Sequence, residues 1–306
     1  CMKKFLVAFL LFVSLPAASF AERGVVTSAD PRATEAGREI LRAGGSATDA
    51  ALAMMLALTV VEPQSSGIGG GGFIVHHDAR TRETRTIDGR ETAPSSATPR
   101  QFLKPDGTTM GFREAVPGGR SVGVPGNIAL MGEAHRRWGK LRWKRLFQPA
   151  IRLAEQGYVV TPRLAGVIGN MKNLWADFPA AQAIYWKEGR PVKAGETVRN
   201  PALAALLRRV AARGPKAFYS GQNAAAIVDA TANSKRNPAI VTLQDIASYK
   251  AKERDAGCVR YRVYTLCGMG PPSSGATTVF QILGMVERFD LRALGKDNPD
   301  AWHLIG

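Results

Sequence analysis

Apolar positions along this chain switch between helical and strand-like periods, with clear punctuation at each change. Gly24 to Ser28 reads as a short strand. Asp30-Pro31 then opens a helix that Gly44-Gly45 stops, because an Asp side chain accepts a free first-turn amide and Pro has no amide to leave unbonded. Ser46-Ala47-Thr48-Asp49 has capping-box spacing and starts a second helix over 47–61. In that helix Ala50, Leu52, Met54, Met55, Leu56 and Leu58 leave no polar face, which predicts burial on every side, with the methionines filling core. Phe73 to His77 and Thr84 to Ile87 have strand character and are joined by a polar loop of hairpin length, Asp78 to Arg82. His76 and His77 are neighbours in a strand, so they face opposite ways and cannot share a metal ion.

A loop rich in Pro, Thr and Gly covers 94–119, and Ser121 to Asn127 leads into a helix that stops at Gly139. Further helices are predicted at 150–156, 201–213 and 222–233, and Thr242-Leu243-Gln244-Asp245 is another capping box. Val259 to Leu266 is strand-like and lies between Cys258 and Cys267. As one extended strand it would hold the two cysteines roughly 30 Å apart. Turned at Arg262-Val263, it would set Cys258 opposite Cys267, although neither turn residue is the Gly, Asn or Asp that a tight hairpin prefers. Ser273-Ser274 reads as the cap of a helix from about Ala276 to Phe289, and Asn298-Pro299 as the start of a last short one. Strands and apolar helices flank a helical middle without parallel β-α-β alternation, repeats or a linker. That pattern predicts one domain of layered α/β or α+β type.

The chain's 306 residues, 45% hydrophobic and 22% charged, have ordinary globular composition. Lys3-Lys4, the apolar run Phe5 to Val13 and the small residues around Ser19 and Ala21 read as an export signal over residues 1–21, cleaved before Glu22. Its removal takes two of the 41 basic residues and none of the 25 acidic ones, which moves the balance from +16 to +14. Lys and Arg are scattered without aromatic interleaving or zinc-finger spacing, so nucleic acid is not an expected partner. The densest basic run, Arg136 to Arg145, is broken by apolar residues in a way that fits helix packing. Gly67, Gly69 and Gly72 spell G-x-G-x-x-G, yet they follow a helix and open a strand, the reverse of a dinucleotide site. Four successive glycines, Gly69 to Gly72, instead predict close backbone approach beneath a site.

Several motifs resemble the γ-glutamyltranspeptidase family: Ala33-Thr34-Glu35-Ala36-Gly37, Val61-Glu62-Pro63-Gln64-Ser65-Ser66-Gly67 continuing through Phe73, and Asp88-Gly89-Arg90-Glu91-Thr92-Ala93-Pro94. Val122-Gly123-Val124-Pro125-Gly126, Phe147-Gln148-Pro149-Ala150-Ile151, Phe218-Tyr219-Ser220-Gly221 and Pro271-Pro272-Ser273-Ser274-Gly275 follow in family order. The resemblance implies an α+β fold, the αββα sandwich of N-terminal-nucleophile hydrolases, present here as the large-subunit part only (22–306). It implies a precursor that cleaves itself and a small-subunit Thr, absent from this chain, that attacks a γ-glutamyl amide. Donors would be glutathione or other γ-glutamyl compounds, and acceptors water, amino acids or peptides. No metal or other cofactor is expected, nor membrane attachment after export to the periplasm or medium. One site residue carries over. Arg90 matches the arginine that holds the donor's α-carboxylate, a task suited to a planar guanidinium with parallel donors; read from its neighbours alone, Arg90 could pair with Glu91 or Asp88. A cephalosporin-acylase-like amidase and an inactive product with a basic binding surface are the alternatives. The short last helix, with Trp302, Leu304 and Ile305, leads to the expectation that residues 22–306 alone are inactive and incompletely folded.

Overall fold

The computed structural model describes residues 24–171 and 173–306, so the predicted export signal lies outside the described residues. Helix α1 spans Pro31–Arg42, with the Asp30 carboxylate accepting the Arg32 amide at 2.8 Å. Helix α2 spans Ala47–Val61. Its capping box is complete, since the Ser46 hydroxyl accepts the Asp49 amide at 3.1 Å and the Asp49 carboxylate accepts the Ser46 amide at 2.9 Å. The oxygen that accepts the Ser46 amide also accepts those of Lys140 and Leu141, which ties α2 to a distant turn, while the other oxygen, buried, has no hydrogen bond and lies 4.0 Å from His135 Nε2. Only Ala47, at the helix start, is exposed, as an all-apolar helix requires. Residues 24–28 do not form the expected strand. They run beside α1, with Val26 against Gly37 and Gly24 against Leu41, where no neighbouring strand offers a ladder.

Four strands make one antiparallel sheet in the order β1 (Gly72–Asp78), β2 (Glu83–Gly89), β3 (Lys252–Tyr261), β4 (Tyr264–Met269). Helix α3, Asn127–Trp138, packs against β1 and β2 and, on its other side, α2. Between these layers Leu52, Leu56, Val60, Ile87, Ile128, Leu130 and Met131 are almost wholly buried. The same core continues through α4 (Gln148–Gln156) and α5 (Pro201–Arg213), which bury Ile151 and Leu207. His76 stacks on Trp138 with ring centres 4.1 Å apart while His77 bonds Thr84 across the hairpin, so the two histidines do face apart. The basic run is structural: Arg136 and Arg137 pair with Glu133, Arg137 also with Glu253, and Arg145 with Glu39.

Strands β3 and β4 form the hairpin, longer than expected, and Cys258 and Cys267 are joined in a disulfide with Cα atoms 4.1 Å apart. Turn chemistry did not forbid it. Arg262 takes the left-handed φ of +53° itself, while its amide donates to Glu287 and its guanidinium to the Phe289 carbonyl, and these ties hold the tip. Helix α6 spans Gly275–Val286, preceded by Ser273-Ser274. Ser274 makes no capping bond; the Ser273 hydroxyl takes the Gly275 amide instead, because Ser274 already has helical backbone angles. In the last helix, Pro299–Ile305, Trp302 and Ile305 are exposed.

Candidate active site

The site is built where β2 ends. Asp88, buried, turns one carboxylate oxygen to the Arg90 amide at 2.8 Å and the other to the Arg254 Nε at 2.7 Å. One side chain thus shapes the turn and ties it to β3. Gly89 lies against α3: a Cβ there would stand 2.4 Å from the Leu130 Cβ. Its carbonyl in turn leaves no space beside Gly126, whose amide and that of Asn127 both donate to the Gly70 carbonyl at 2.9 Å. The Asn127 side chain donates to Gly67 at 2.6 Å. Gly71 packs against the Gly89 carbonyl and Glu91, so the glycine run is the floor on which the Arg90 turn rests. Gly69 has open space around it and faces the cleft instead.

From the other side, the Tyr249 hydroxyl donates to the Arg90 carbonyl at 2.6 Å. Tyr249 stacks on Tyr219, whose hydroxyl donates to the Pro125 carbonyl and accepts the Ala129 amide. Burial, with the charges of Asp88 and Glu91, pushes the Tyr249 hydroxyl up to about 12, and burial raises Tyr219 as well. Both therefore remain protonated donors across the neutral range.

The Arg90 backbone is thus held from three directions while its side chain remains 55% exposed. Its Nε lies 3.4 Å from a Glu91 carboxylate oxygen, and among the described residues its guanidinium donates no hydrogen bond to the protein and pairs with no acid other than Glu91. Of the two local acids considered from sequence, Glu91 forms this loose pair and Asp88 is spent on the Arg90 backbone and Arg254. Arg90 and Glu91 line an open cleft of about 660 Å³ together with Gly69, Thr98, Gln101 and Arg120. A wider furrow of about 720 Å³ at Phe112, Met171 and Phe178 is mostly apolar and has no such charged pair. Among the described residues no cluster of His, Cys, Asp and Glu could hold a metal ion. The arrangement can orient a carboxylate by two parallel hydrogen bonds.

Of the residues singled out from sequence, Arg90 lines the cleft, Gly70 to Gly72 pack beneath its turn, and the motif Val122 to Gly126 abuts it. Sequence reading missed Tyr249 and Arg254, which reach the site from far along the chain and have no local signal; Tyr219 stood in a quoted family motif, Phe218 to Gly221, without a role assigned to it.

An antiparallel sheet with helices on one face carries, at the end of one strand, a half-exposed guanidinium that lines an open cleft. The family profile described as "Gamma-glutamyltranspeptidase" matches residues 33–306. The glutathione hydrolase proenzyme of Escherichia coli K12 is 36% identical over 286 residues, 93% of this chain and 48% of that protein. Acylase ACY 1 proenzyme of Pseudomonas sp. SE83 is 37% identical over 289 residues, 92% of this chain and 51% of that protein. The crystal structure of Helicobacter pylori gamma-glutamyltranspeptidase superposes with a TM-score of 0.86 at 35% identity, covering 92% of this chain and 80% of that one. The chain belongs to the gamma-glutamyltranspeptidase family, and its α+β fold is that of the N-terminal-nucleophile hydrolases. It spans about half the length of these curated relatives.

Proposed function

We propose that this chain is the larger part of an enzyme that transfers γ-glutamyl groups from glutathione or similar donors to water, amino acids or peptides. The observation that supports it most is Arg90: a residue fixed at its backbone by Asp88 and Tyr249, whose guanidinium is 55% exposed, lines a cleft and donates no hydrogen bond to the described residues. That fork takes the donor's α-carboxylate and sets the distance from it to the γ-amide, which is how a γ-glutamyl group is told from other acyl groups. The nucleophile is a Thr at the new N-terminus of a second part of the same precursor. Its hydroxyl adds to the amide carbonyl, its own amine takes the proton and passes it to the leaving amine, and water or an acceptor amine then opens the ester. Residues 1–21 serve export, and 22–306 form the large-subunit portion. The Cys258–Cys267 bridge agrees with an oxidising compartment such as the periplasm or medium.

The 37% identical acylase relative favours a second reading, an amidase of the same fold with another acyl specificity. Turnover of a γ-glutamyl anilide by the complete precursor, set beside that of anilides of dicarboxylic acids lacking the α-amino acid end, separates the two. A preference for the latter would replace the γ-glutamyl reading.

A further inference from the structure

The cleft beside Arg90 holds a second guanidinium that the γ-glutamyl end of a donor does not use. Arg120 sits in the tight turn Gly119–Ser121, with its amide donating to the Asn237 carbonyl at 2.8 Å and its carbonyl accepting from the Gln101 side chain at 2.5 Å. Its backbone is therefore fixed from two sides, and its half-buried side chain lines the cleft. The guanidinium itself is weakly engaged: one terminal nitrogen lies 3.5 Å from the Gln101 carbonyl and 3.7 Å from the Met110 sulfur. Among the described residues no carboxylate pairs with it.

The charge count of the cleft lining is thus two guanidiniums, Arg90 and Arg120, to one carboxylate, Glu91, and Glu91 is drawn to Arg90. A volume of about 660 Å³ is that of a small-ligand site and exceeds the needs of one amino-acid end. Half-buried Arg side chains are usually paired, because a partly desolvated cation without a counter-charge is costly. We infer that Arg120 binds a second carboxylate of the substrate, and that the cleft selects γ-glutamyl peptides whose leaving portion ends in a free carboxylate over γ-glutamyl compounds with neutral leaving groups.

This rests on the function proposed above. With Arg90 on the α-carboxylate, the γ-amide and the leaving amino acid extend along the cleft, and a terminal carboxylate on that leaving portion meets the second cation. A γ-glutamyl anilide would occupy the first site and leave Arg120 unanswered.

The test uses the processed enzyme from the complete precursor and two donors that differ in one group, γ-glutamylglycine and γ-glutamylglycinamide. Wild-type enzyme should prefer the acid in kcat/KM, and Arg120→Gln should reduce that preference ratio about tenfold, to near unity, mainly through KM. Arg120→Lys, which keeps the charge, should retain part of the preference, whereas Arg90→Ala should depress both donors together. An unchanged ratio in Arg120→Gln, or an equal loss on both donors, overturns the assignment while leaving Arg90's role standing. If wild-type enzyme turns over neither donor, the γ-glutamyl function itself fails and the inference with it.

Discussion

Gly126→Ala is the sharpest structural probe of the site. Gly126 has φ −115° and ψ −22°, angles open to any residue, so a substitution there tests space alone. An ideal Cβ would stand 1.9 Å from the Gly89 carbonyl oxygen and 2.4 Å from the Tyr249 hydroxyl, where about 3.0 Å is the closest approach real Cβ atoms make. Gly89 must therefore retreat by about 1 Å or α3 must tilt, yet Leu130 blocks the strand and the Gly70 carbonyl holds the helix start. Overpacking of this kind costs ~1–3 kcal/mol. The displaced residue immediately precedes Arg90, and a misplacement of roughly 1 Å can lower the rate about 10²-fold. Steady-state kinetics of the complete enzyme with a γ-glutamyl anilide, beside thermal unfolding, reads both effects. Gly69→Ala, with nothing within 4 Å, is the comparison for stability and should unfold as wild type does. Wild-type kcat/KM and unfolding temperature in Gly126→Ala would refute the account of how Arg90 is positioned.

Arg254→Ala strips a partner from buried Asp88; because Arg254 is 39% exposed, the loss should be ~1–3 kcal/mol, a fall of several degrees in Tm measured by calorimetry. An unchanged Tm would mean that solvent already satisfies Asp88. Asp245 is held at about 2, below its ordinary 3.8, chiefly by the Thr242 amide and further by the Thr242 and Ser95 hydroxyls and the Ser95 amide, so its stabilisation is complete above about pH 4 and disappears as pH falls toward 2. The Tm difference between wild type and Asp245→Ala should shrink over that interval, and a constant difference would contradict it. Thiol titration of unreduced, unfolded protein lacking residues 1–21 should find no free thiol before reduction and two after it, whereas two at the outset would exclude the Cys258–Cys267 bridge.

What could be read from sequence was what local chemistry dictates. Ser46 and Asp49, and likewise Thr242 and Asp245, cap their helices as spaced, since each box closes within four residues. The buried helix over 47–61 and the hairpin from Gly72 to Gly89 follow from periodicity in the same way. Prediction failed where the partner is remote or missing. Extended residues 24–28 had no ladder to join, and a Ser pair ahead of α6 was divided by backbone angles that sequence does not reveal. Arg90 was singled out through a family motif, but the groups that hold its turn are distant: Arg254 reaches Asp88 across 166 positions and Tyr249 reaches Arg90 across 159. Sheet register and helix packing decide such pairs, and neither is written in a local pattern.

The proposed role of Arg90 in gripping the α-carboxylate is tested most directly by two anilides, γ-glutamyl and 4-aminobutyryl, which share the scissile amide and the position of the amine and differ only by that carboxylate. The measurement is kcat/KM for both donors in the wild-type complete enzyme and in Arg90→Ala. The account predicts a strong wild-type preference for the γ-glutamyl donor, on the order of 10²-fold for a charge-assisted bidentate contact, and its collapse in the variant because only the donor with the carboxylate loses a partner. A variant that keeps the wild-type preference ratio, whatever its overall rate, would contradict the assignment of Arg90 to the substrate carboxylate.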